Sequence, residues 1–113
     1  MDNRKTPEYY FKKMIADIEF CIAHNNGITL KEFCENEVLN SAISFKFVQI
    51  SENAKKIPDW MIMKYKSIPW NKISGLRNKI VHDYGSIQFE IIYDTINNDL
   101  PVLVDKLKDL INE

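Results

Sequence analysis

The sequence predicts an all-α fold in which helices pack as a small bundle, and two observations carry that expectation. Apolar residues recur every three or four positions along most of the chain, and helix start and stop signals fall at the ends of those stripes. At 113 residues and 45% apolar, the chain has the length for one compact domain, taken as residues 1–113, with a modest core.

Phe11, Ile15, Ile18 and Ile22 step by four, three and four, one face of a helix that opens near Thr6-Pro7 and closes near Asn25-Asn26-Gly27. Thr29 with Glu32 has the spacing of a capping box and introduces a short helix through Phe33. Leu39, Ile43, Phe47, Ile50, Ala54 and Ile57 form a long stripe that ends before Pro58. A turn-rich link holding Trp60, Met61, Met63 and Tyr65 follows. Trp70 then opens a helix whose buried stripe is Trp70, Ile73, Leu76 and Ile80. The last segment starts near Ser86 with Phe89, Ile92, Ile96, Leu100, Leu103, Leu107 and Ile111 on one face, and Pro101 is expected to bend it.

The third helix has a second face. Ser41, Phe45, Val48 and Glu52 lie roughly opposite its main stripe at about 100° per residue. A helix apolar on two sides must bury both, and so small a domain has few internal partners for the second. A two-fold homodimer is the expectation; cover by the first or last helix is the alternative.

No run approaches the roughly 18 apolar residues of a membrane span, so a protein that does not cross the membrane is expected. The start MDNRKTPEYY lacks the apolar stretch of a secretion signal, and two cysteines make no dense framework, which together fit a reducing cytoplasm. Cys21, His24 and Cys34 have no fourth partner at a usual ligand spacing, so no metal and no cofactor are expected; buried thiols and a surface imidazole are the expectation instead. The three glycines, Gly27, Gly75 and Gly85, stand too far apart for a phosphate loop. Trp70 falls on an apolar stripe and is expected in the core, while Trp60 is undecided between core and base stacking. Met61 and Met63 are expected to fill gaps.

The net charge of −1 gives no hint of nucleic acid, but its distribution does. Both ends of the chain are acidic, whereas Lys55 to Lys79 carries seven basic residues against Asp59 alone. Such a segment can attract a phosphate backbone or can be a solvated helix face. It runs into RNKIVHDYG, Arg77 to Gly85, at the end of the Trp70–Ile80 stripe. On a continuous helix Arg77 and His82 would point about 140° apart, while Tyr84 would return near the arginine's side. Fraying near Val81, with Gly85 as the terminator, would swing His82 back; Asn78, one turn before His82, could hydrogen-bond it. A guanidinium fork holds a phosphate and an imidazole exchanges protons near neutrality, its ordinary pKa being about 6.5. In RNA the 2′-hydroxyl is an internal nucleophile, so a base and a phosphate clamp suffice without metal. The alternative is that Arg77 and His82 merely cap carbonyls at a helix C-terminus.

The stretch PWNKISGLRNKIVHDYG, Pro69 to Gly85, resembles the signature of the HEPN superfamily, and specifically of HepT-like toxins: arginine, four residues, histidine, any residue, tyrosine. Arg77, His82 and Tyr84 stand at each position, and FVQISENAKKI before a proline, the Pro-Trp entry and Leu100-Pro101 extend the likeness to roughly residues 7–111. The resemblance implies an antiparallel bundle of about five helices, homodimeric, with two motifs facing one cleft. It implies a metal-independent endoribonuclease acting on RNA, in which Arg77 clamps the scissile phosphate, His82 is acid or base, and Asn78 supports the pair. It also implies a nucleotidyltransferase antitoxin as partner, which adenylylates Tyr84. The basic segment would flank the cleft. One departure is SEN at 51–53, where relatives commonly have Gly-Glu-Ala; looser helix packing is expected there. A non-catalytic HEPN module that binds a nucleotide or docks a nucleotidyltransferase is the competing function.

Overall fold

The first helix forms where its ends are chemically marked. In the computed structural model, which describes residues 6–80 and 86–112, α1 runs Pro7–Asn25. The Thr6 hydroxyl accepts the Tyr9 amide at 3.2 Å, and Pro7 stands in the first turn, where its missing N–H costs nothing. Gly27, at φ +75°, leads the chain away in a left-handed conformation that glycine adopts without steric penalty. Helix α2, Leu30–Glu35, opens on the expected capping box. The Thr29 amide donates to Glu32 Oε1 at 2.9 Å, and the Glu32 amide donates to Thr29 Oγ1 at 3.1 Å. Asn36 then caps α3, Glu37–Ala54, by accepting the Leu39 amide at 3.0 Å.

The expected stripes become the core. Phe11, Met14 and Ile18 of α1 and Ile43, Phe47 and Ile50 of α3 share one core as these two helices pack together, and α1 also packs on the last helix, which adds Leu100, Leu103 and Leu107. Between α1 and α3 lies one buried charge. Asp17 Oδ1 accepts from Lys13 Nζ and Lys46 Nζ, each at 3.1 Å, while Asp17 Oδ2 is buried without a partner. Both ammonium groups are closer to solvent than the carboxylate, and Lys46 also lies over the Phe20 ring. Removing a buried member of such a cluster leaves its counter-charge half-buried and unpaired. Asp17→Ala is therefore expected to lower unfolding free energy by about 3 kcal/mol, read as a drop in the urea midpoint at unchanged slope. A loss below a third of that would mean that both lysines simply swing to water.

Burial, helped by the Asp17 carboxylate, pushes the Cys21 thiol up to about 12, which keeps it protonated and inert. The expectation of two buried thiols holds for Cys21 alone, because Cys34 on the short α2 is only half-buried. His24 is exposed, stacked against Phe20.

Two stretches differ from the sequence reading. The link after Pro58 contains a short helix, α4, Asp59–Lys64, which buries Met61 and leaves Trp60 and Met63 exposed. Gap-filling thus holds for Met61 and fails for Met63. Trp70, which opens α5 (Trp70–Ser74), is half-buried against Phe11, and its indole N–H donates to the Tyr65 carbonyl at 3.0 Å. The second difference is in the last helix. It begins as α6, Ser86–Asp94, widens into a π turn over Thr95–Asp99, and resumes as α7, Leu100–Ile111. Pro101 lacks an N–H and its ring would press on the carbonyl of Asn97 in a regular α-helix; widening at that place relieves the conflict. Every regular element among the described residues is helical.

Candidate active site

The arginine of the motif sits on a short helical segment that the neighbouring helix α3 holds. α5 lasts only to Ser74, and from Gly75 to Lys79 the chain tightens into a 3₁₀ helix. Ser51 of α3, which is fully buried, reaches into this segment. In an uninterrupted α-helix the Arg77 amide would donate to the Ile73 carbonyl. Here the Ser51 hydroxyl stands between them: it accepts the Arg77 N–H at 2.9 Å and donates to the Ile73 oxygen at 3.0 Å. A side chain inserted into the helical ladder in this way changes the winding beyond it. The looser packing expected at SEN is thus not what the structure has, because Ser51 ties the two helices together.

The Arg77 side chain is about half exposed and its guanidinium lies 3.6 Å from Glu52 Oε1. Glu52 also meets Lys55 at 3.7 Å. Consecutive residues of α3 therefore grip Arg77 twice, Ser51 by its backbone and Glu52 by its side chain. Farther on, Gln88 of α6 donates to the Lys79 carbonyl at 2.6 Å, fixing the end of the 3₁₀ turn. Sequence reading placed Glu52 on the second face of the third helix but did not pair it with Arg77, and it missed Ser51 and Gln88. A serine on the Phe47–Ile50–Ala54 stripe was the available signal, since a buried hydroxyl needs partners.

Asn78 is exposed. His82 and Tyr84 lie outside the described residues, so the described part of the site is Arg77 with Glu52, Asn78 and their supports. Among the described residues no group of three His, Cys, Asp or Glu side chains gathers as a metal would require.

The second face of α3 leads directly to this arginine. Val38 and Phe45 are 83% and 59% exposed, Val48 is half-buried, and Glu52 ends the row. Neither the first nor the last helix covers Phe45. On the other flank of the motif segment the basic stretch lines a trough of about 430 Å³ with Lys66 and Lys72 beside Ile62, Met63 and Trp70. Other lysines of that stretch are engaged: Lys56 lies over the Tyr10 ring and Lys64 over the Tyr65 ring.

A family model described as "Ribonuclease HepT-like" matches residues 12–110. The chain belongs to the HepT-like ribonuclease family. It is 30% identical over 109 residues to a candidate RNase of Caldanaerobacter subterraneus subsp. tengcongensis, covering 96% of this chain and 97% of that one. It is also 26% identical over 110 residues to a candidate RNase of Methanocaldococcus jannaschii, covering 97% and 91%. A third relative, "Probable ribonuclease HepT" of Thermococcus cleftensis, is 22% identical over 107 residues, covering 95% and 97%. No solved structure matches the chain. The all-helical architecture agrees with the HEPN-like bundle that the motif led us to expect, and among the described residues no helix is long and apolar enough to cross a membrane.

Proposed function

We propose that this HepT-like protein is a ribonuclease toxin that cleaves RNA without a metal ion, at a composite site made by two copies of the chain. The observation that carries the reading is Arg77, half exposed, gripped by Ser51 and Glu52 at the end of a row of uncovered apolar residues. Pairing two copies through that row would bring two such arginines to one cleft. In the reaction His82 takes the proton of the 2′-hydroxyl, the O2′–P bond forms, and the P–O5′ bond breaks. His82, now an imidazolium, gives that proton to the leaving 5′-oxygen, and a 2′,3′-cyclic phosphate remains. Arg77 balances the charge that builds on the phosphoryl oxygens, Asn78 supports the pair, and Glu52 keeps the guanidinium in place until phosphate replaces it. Lys66 and Lys72 give flanking phosphates a basic wall. Incubating purified protein with total RNA and excess chelator tests the core of this reading. Cleavage that His82→Ala removes supports it; cleavage that needs added metal overturns the metal-free mechanism, and no cleavage at all leaves the non-catalytic module.

The same reading includes control by a nucleotidyltransferase antitoxin that transfers adenosine monophosphate to the Tyr84 hydroxyl. The added phosphate would occupy the Arg77 fork and the adenosine would stand in the path of RNA, so no large rearrangement is needed. Co-expression with a cognate nucleotidyltransferase should add one adenylate mass to the Tyr84 peptide and silence cleavage, and Tyr84→Phe should escape both. Modified protein that cuts RNA at the unmodified rate would refute this mode of control.

A further inference from the structure

We infer that Ser51 is a positioning residue for Arg77: its hydroxyl, wedged into the helical ladder between Ile73 and Arg77, sets the winding that presents the guanidinium. The inference rests on Arg77 acting on RNA as proposed above, but its geometric half stands apart from that.

The geometry leaves little freedom. The Ser51 hydroxyl has one hydrogen to give and receives one N–H, and both are used on the two groups that would otherwise bond each other. Ser51 is fully buried, so no water competes for the role. The turn that follows, Gly75–Lys79, is 3₁₀ rather than α. A 3₁₀ helix turns about 20° more per residue than an α-helix and rises about 0.5 Å more. Over Gly75, Leu76 and Arg77 the direction of the arginine therefore changes by about 60° and its height by about 1.5 Å. In this setting Glu52, the next residue of α3, lies 3.6 Å from the guanidinium.

An ordinary buried hydroxyl leaves orphaned partners when it is removed, and the fold loses stability. Here the two partners are complementary to each other. In Ser51→Ala the Arg77 N–H and the Ile73 carbonyl can close the α-helical bond directly, so folding should tolerate the change while Arg77 turns away from its working direction. A residue that only glues two helices would show the opposite pattern, with stability lost and activity kept in whatever remains folded.

The test uses the full chain with Ser51→Ala beside the unaltered protein, both labelled with ¹³C and ¹⁵N. The Cα shifts of Gly75 to Lys79 should move toward α-helical values, and the thermal midpoint should stay within about 2 °C of the parent, as for a surface change. In chelated RNA assays kcat should fall about 100-fold, the usual consequence of a misplacement near 1 Å. KM should move little, because the many phosphate contacts that bind RNA remain. Unmoved Cα shifts overturn the ladder argument whatever the RNA assay gives. Moved shifts with kcat unchanged overturn the positioning role while the ribonuclease reading stands. A parent protein that cuts no RNA overturns the ribonuclease reading and the activity half of this inference together, and the shifts then judge the ladder alone.

Discussion

Arg77→Ala is expected to lower metal-free RNA cleavage by about a thousandfold while the protein keeps its helicity and its melting temperature. The size follows from the chemistry. Removing a charged donor aimed at a phosphoryl group in its transition state costs about 10³-fold where arginine supplies it. The silence in stability follows from the structure. The guanidinium is half exposed, and its ion pair with Glu52 at 3.6 Å is worth under about 1 kcal/mol at such exposure. The backbone contact to Ser51 survives the substitution because the amide, not the side chain, makes it. Arg77→Lys should recover only part of the loss, since an ammonium keeps the charge but not the two-pronged fork. Rates are best measured on a defined oligonucleotide alongside His82→Ala, with circular dichroism on each variant. Full cleavage by a folded Arg77→Ala protein would remove the arginine from the mechanism.

Where local rules act, the sequence could be read closely. The Thr6 cap, the Thr29–Glu32 box and the stop before Pro58 all depend on residues within four positions of one another, and each stands where expected. The apolar stripes of α1, α3 and the last helix were legible for the same reason. What stayed hidden depends on partners distant in sequence. The 3₁₀ turn at Gly75–Lys79 is dictated by Ser51, more than 20 residues earlier, and no periodicity within the motif announces it. Glu52 could be placed on a face, but its approach to Arg77 needed the packing of α3 on the motif segment. The helix Asp59–Lys64 was read as a link because its six residues are too few to show a period. Conversely, the π turn before Pro101 realises a local rule in a form that the rule leaves open: proline demands relief, and widening supplies it as well as bending.

The other large effect expected is at Phe45, far from any reacting atom. Val38 and Phe45, seven residues apart, stand on one face of α3 with large exposed surfaces, and the same row continues through Val48 to Glu52 and Arg77. A lone helix of a folded monomer seldom leaves two such side chains in water on one face. In a two-fold pair each copy covers the other's row, and burying one phenylalanine contributes about 1.5–3 kcal/mol per copy. Phe45→Glu reverses this twice, because symmetry brings the substitution in from both sides and sets two carboxylates in the same apolar contact without counter-charges. In the monomer the change costs little, since the site is exposed. Light scattering should therefore show the particle mass falling by half with helicity retained, and cleavage should fall with it, because each cleft would hold one motif instead of two. A Phe45→Glu protein that remains a dimer and cuts RNA at the parent rate would place the interface elsewhere; a parent protein that is monomeric at micromolar concentration would end the composite site altogether.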